Sequence, residues 1–180
     1  MKNNKTLKIF LTILALGFVF WFGGTVLRTM VAFDIFEPVR GLPLKEGYTN
    51  SARFQTVYLF TNLSLYSNIG YIAVLLGAFY VNFYYKNKLK SKGWLFMALV
   101  LFYISVPVEA IKMYYDAQLT LAIYYDNVNE FFSYDVKKWF VQRFQSVWLQ
   151  SLGTISILAN LTALLYVIWQ PLNKEKQKNN

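Results

Sequence analysis

The stretch 93–115, GWLFMALVLFYISVPVEAIKMYY, decides how this chain folds. It begins with a long run, 93–108, that holds no charged residue. A membrane helix needs ~20 mainly apolar residues to cross ~30 Å of hydrocarbon, and this stretch supplies them. Three other apolar runs, 9–33, 56–85 and 139–169, are also long enough. Four such helices have no polar surface to offer water. The sequence therefore predicts an all-α fold: an integral membrane four-helix bundle forming a single four-span domain over 1–180.

Composition agrees. Hydrophobic residues make up 56% of the chain and charged residues 15%, above and below the soluble range respectively. The first run follows Lys2, Lys5 and Lys8 and so resembles a signal peptide at its start. A signal core spans only ~7–15 apolar residues before a small-residue cleavage site. Here the run continues through the bulky Trp21, Phe22 and Met30. It is expected to be a retained helix.

The lysines set the expected orientation. Lys2, Lys5 and Lys8, the loop 86–92 (KNKLKSK) and the tail 173–178 (NKEKQK) fall on one side of a four-span chain. The positive-inside rule places that side, and both termini, in the cytoplasm. A bacterial inner membrane is compatible with this. Two longer loops, 34–55 and 116–138, then face outward. The formal charge of +9 sits at the edges of apolar runs rather than in a patch on a solvated fold, which argues against nucleic acid as a partner. Ser133 is placed to cap a helix that starts before the membrane.

The chain has no histidine and no cysteine. That excludes Ser-His-Asp catalysis, thiolate chemistry, disulfides and His/Cys metal sites. No cofactor motif is visible, and none is expected. The acids Asp126, Glu130 and Asp135 match no familiar metal loop.

The polar residues inside the spans are the remaining signal. On the third helix Ser105, Glu109, Lys112 and Asp116 recur at intervals of four, three and four and share a face. On the first, Gly17, Trp21, Gly24 and Arg28 follow the same intervals. Pro107 cannot donate to the Tyr103 carbonyl, so a kink is expected beside Glu109. The second helix aligns Thr61, Ser64 and Asn68, with Gly70, Ala73 and Gly77 further along. The fourth aligns Arg143, Ser146, Gln150 and Gly153. At ~1.5 Å per residue, Glu109 lies roughly 24 Å from the Gly93 end of its helix, in the outer third of a bilayer. A charge at mid-bilayer costs ~3 kcal/mol on insertion scales, so Glu109 should be paired. Arg28 and Arg143 are the expected partners, with Lys112 on the same helix as the alternative. An outward-opening polar pocket follows, built from Glu109, Arg28, Arg143 and Lys112 and lined by Asn62, Asn68 and Gln150. The same residues serve equally as packing glue that fixes helix register.

Three functional readings remain. The first is a non-enzymatic membrane protein: a small binder of lipid or another amphipathic ligand, or an accessory subunit of a membrane complex. Its partners would be membrane lipid and a protein partner or a second copy. The second is an oligomeric transporter or channel for a small anionic substrate. The third is a membrane enzyme with Glu109 as acid or base.

Overall fold

The computed structural model describes residues 5–171. Lys2 and the tail lysines, on which part of the expected orientation rests, lie outside these residues. The described chain is all-helical, and four of its helices are long and apolar enough to cross a membrane. They are α1 (Lys5–Phe33), α2 (Asn50–Tyr85), α3 (Gly93–Tyr124) and α6 (Val147–Trp169). Between α3 and α6 come the short α4 (Tyr134–Val136), a π-helical turn (Lys137–Val141) and α5 (Gln142–Gln145).

Two antiparallel pairs make up the bundle. α1 packs along α2, and the contact depends on glycine. A Cβ built on Gly70 would lie 2.5 Å from the Trp21 backbone nitrogen, and one on Gly17 would lie 2.8 Å from the Gly70 carbonyl oxygen. A Cβ on Gly77 would meet the Leu14 side chain at 2.6 Å. Small residues let helix backbones approach this closely, and the glycines singled out on the first two helices are the ones that meet.

α3 packs along α6 through polar side chains instead. Asn160 donates to Ser105 Oγ at 2.8 Å and to the Ser156 carbonyl at 2.8 Å. Ser156 Oγ donates to Glu109 Oε1 at 2.7 Å. α1 and α3 run parallel, since Trp21 meets Glu109 and Arg28 meets Asp116. Lys5, the 86–92 turn and Trp169 therefore lie at one end of the bundle.

The opposite end is capped. The segment 34–49 turns back on itself through Glu37 N–H to the Pro43 carbonyl, 2.8 Å, and Lys45 N–H to the Ile35 carbonyl, 3.0 Å. This drives Ile35 and Phe36 into a cluster with Phe60, Leu119, Phe140 and Phe144. Thr49 then starts α2 by accepting from Ala52 N–H at 3.2 Å. Ser133 caps α4, accepting from Val136 N–H at 3.3 Å, which is the role its position suggests.

Two helix ends differ from expectation. α3 continues to Tyr124 rather than stopping near Tyr115. Asp116 does not mark the water interface; it is 1% exposed and held inside the helix by two arginines. The run expected as one span from Trp139 is broken at Ser146, where the backbone is extended (φ −74°, ψ 105°). Ser146 Oγ accepts from Leu149 N–H at 3.4 Å and so begins α6 anew. The outward loop expected over 116–138 is largely helical, with irregular chain confined to 125–133.

Candidate functional site

A layer of buried charge crosses the bundle on the capped side of its middle. Its lower rung is Glu109. One carboxylate oxygen accepts from Lys112 Nζ at 2.8 Å and from Ser156 Oγ; the other accepts from Trp21 Nε1 at 3.2 Å. Its upper rung is Asp116, two helical turns along the same face. Arg28 Nη1 donates to Asp116 Oδ2 at 2.6 Å, and Arg143 Nη1 donates to Asp116 Oδ1. Both guanidiniums also stand over the Phe60 ring, 5.8 and 5.5 Å from its centroid, where the ring face attracts a cation.

The pairing corrects the sequence expectation. Glu109 does not take Arg28 or Arg143; it takes the nearer cation on its own helix. The arginines go to Asp116, which hydropathy alone assigns to the loop. Glu109, Asp116, Arg28 and Arg143 are all buried, and the Lys112 side chain is 12% exposed. A carboxylate removed from water must have its lone pairs taken up, and each of these has two or three donors. The geometry gives Arg143 a local cause as well. It is carried on α5, between the π-helical turn and the extended backbone at Ser146, and so is not part of α6.

Asn62 and Asn68 stay out of this layer. Asn62 Oδ1 accepts from the Tyr124 hydroxyl at 2.6 Å on an exposed face. Asn68 is half-buried on α2. Trp21 and Ser156 join the layer although sequence reasoning gave neither a hydrogen-bonding part.

Beside the layer lies a cavity of about 280 Å³, on the side where α1 faces α6. Arg28, Lys112 and Arg143 form its charged wall, and Thr25, Gln150 and Gly153 are among its other boundaries. Gly153 is informative. A Cβ added there meets nothing within 4 Å, so no close helix contact accounts for this glycine. It leaves the cavity open. A second cavity of about 510 Å³ lies at the next level toward the Lys5 end. It too is bounded by α1 and α6, with Leu14, Phe18, Phe102, Ala163 and Val167 in its wall. Asn160 is its one hydrogen-bonding side chain apart from two aromatic ones, Tyr85 and Trp94.

Chemically, the upper cavity offers fixed cations and the lower one offers hydrocarbon contact. Both Glu109 oxygens are engaged, and the residue does not border the upper cavity. Through Trp21 and Ser156 it ties α3 to α1 and α6. Among the described residues, no group of three acidic side chains gathers to hold a metal ion. Comparison with family models, curated proteins and solved structures finds no match to this chain.

Proposed function

We propose that this chain is a non-enzymatic integral membrane protein that holds a lipid or another amphipathic ligand between α1 and α6. The carrying observation is the cavity of about 280 Å³ walled by Arg28, Lys112 and Arg143. Fixed cations facing open space in a lipid-soluble bundle are costly unless something complements them. The reading is supported by four helices long and apolar enough to cross a membrane. By the positive-inside rule, Lys86, Lys88, Lys90 and Lys92 support a cytoplasmic Lys5 end. The charged cavity then sits in the outer half of the bilayer, and a bacterial inner membrane suits this arrangement.

The test is native mass spectrometry of the full chain purified in mild detergent. Wild type should retain an adduct of lipid mass, and Gly153→Leu, which grows a side chain into the cavity, should lose most of it. Equal retention by both proteins, or no adduct on wild type, would reject the reading. A second reading has a specific observation in its favour. Three cations against two carboxylates leave the site positive, which also suits a small anion carried by an oligomeric transporter. Anion flux in liposomes that is abolished by Gly153→Leu would favour that reading.

A further inference from the structure

We infer that the ligand is a monoanionic lipid, its headgroup against Arg28, Arg143 and Lys112 and its acyl chain in the apolar cavity below. This rests on the reading of the α1–α6 side as a ligand site and names the chemistry that fills it.

The headgroup charge follows from counting the buried layer. Lys112, Arg28 and Arg143 carry three positive charges, and Glu109 and Asp116 carry two negative ones. One positive charge is uncompensated. In a low-dielectric setting an unbalanced charge is the expensive state, so a ligand bringing one negative charge completes the layer. A dianion would reverse the imbalance. Donors remain for such a headgroup. Each guanidinium reaches Asp116 through Nη1, and a guanidinium has five N–H donors in a fixed fork. Both arginines border the cavity.

The chain follows from the stacking of the cavities. The upper one borders α1 at Thr25, Arg28, Thr29 and Phe33. The lower one borders it at Leu11, Leu14, Ala15 and Phe18. On α6 the boundaries pass from Leu149 through Ile157 to Asn160 and then Val167. Descending α1 and ascending α6 in number is motion in one direction, because α1 runs parallel to α3 and α6 runs antiparallel to it. Charge and hydrocarbon are thus presented in the order that a membrane lipid presents them.

The test uses the full chain, stripped of endogenous lipid by detergent exchange. The probes are phosphatidylglycerol, phosphatidylcholine with identical acyl chains, and inorganic phosphate. Native mass spectrometry reads lipid retention, and phosphorus NMR line broadening reads phosphate. Phosphatidylglycerol should be retained about tenfold over phosphatidylcholine, the ratio that one charge-assisted contact supplies. Lys112→Gln, the least buried of the three cations, should bring that ratio close to one. Ala163→Phe fills the lower cavity away from every charge and should lower the retention of phosphatidylglycerol about tenfold. Equal retention of the two lipids, both lost in Gly153→Leu, would overturn the monoanion inference and leave the lipid-binding reading standing. Phosphate binding without lipid retention would overturn both in favour of a small-anion site. Phosphatidylglycerol retention unchanged in Ala163→Phe would overturn the placement of the chain.

Discussion

The α1–α2 and α3–α6 interfaces join helices of similar length by opposite means. The first removes side chains: Gly17, Gly70 and Gly77 bring the backbones together. The second adds polar ones: Ser156 bonds to Glu109 and Asn160 to Ser105 across the gap. Neither device sets how one pair sits against the other. The charged rungs do, Trp21 to Glu109 and Arg28 to Asp116, with Arg143 from α5, together with apolar clusters in which Phe60 meets Leu119 and Phe140, and Tyr71 meets Phe102. The pairs pack together where α2 faces α3 and are left parted by cavities where α1 faces α6, with the charged side chains bordering the upper one. Where packing is tight there is no site; where charge does the joining, there is room for one.

Removing the charge between the pairs should have the largest effect. Asp116→Asn leaves Arg28 and Arg143 buried beside a neutral amide. Breaking a buried pair in this way costs ~3–5 kcal/mol, and here one carboxylate serves two cations. The protein should aggregate or unfold much earlier in a denaturing-detergent titration. A variant as stable as wild type would show that the rungs do not join the pairs.

Overfilling the glycine interface comes next. Gly70→Val must push α1 away from α2, since even a Cβ would lie 2.5 Å from the Trp21 nitrogen. Overpacking of this kind costs ~1–3 kcal/mol. The shift would also move Trp21 off Glu109, so indole fluorescence should change along with the unfolding midpoint. An unchanged spectrum would mean that the two interfaces are less coupled than the rungs imply.

Removing one polar link from the second interface should cost less. Asn160→Leu keeps the branching at Cγ and deletes the bonds to Ser105 and to the Ser156 carbonyl. Interhelical hydrogen bonds in membranes average ~0.6 kcal/mol and reach ~1.7. A loss within that range is expected in the same titration. A loss as large as that of Asp116→Asn would erase the distinction between link and rung.

Hydropathy made the four long helices legible, because length and the absence of charge suffice to mark them. It failed where tertiary pairing overrides composition. Asp116 reads as the start of a loop, yet two arginines distant in sequence neutralise it and α3 runs on to Tyr124. The break at Ser146 has no proline or glycine beside it, and a serine within an apolar run is a weak signal for the cap that it forms. The partners of the rungs were nevertheless written in the spacing. Positions 17, 21, 24 and 28 and positions 105, 109, 112 and 116 repeat the same intervals. Two parallel helices in register place Trp21 against Glu109 and Arg28 against Asp116, both 88 residues apart. Matching the two patterns whole, instead of seeking the best cation for Glu109, identifies Asp116. Arg28, Lys112, Arg143 and Gln150, named from the sequence as pocket residues, border the upper cavity; the apolar cavity below was not legible, because an empty space without polar lining belongs to several helices at once and to no single pattern.

Gly153 provides the smallest and most discriminating test of the comparison. Gly153→Ala adds one methyl group where no atom lies within 4 Å. In a water-exposed helix the exchange gains up to ~1 kcal/mol from backbone entropy. In lipid the gain should be smaller, since an unpaired backbone is already disfavoured there. The expected result is therefore a slight rise in the unfolding midpoint, worth about 0.5 kcal/mol or less. The contrast with Gly70 is one of sign. Both are helical glycines, and only at Gly70 does the backbone of a neighbour stand where the methyl group would go. If Gly153→Ala instead destabilises the protein, then α1 and α6 close against each other at that level. The charged wall would then face packed side chains, and the open side of the bundle would be no more a site than the glycine seam.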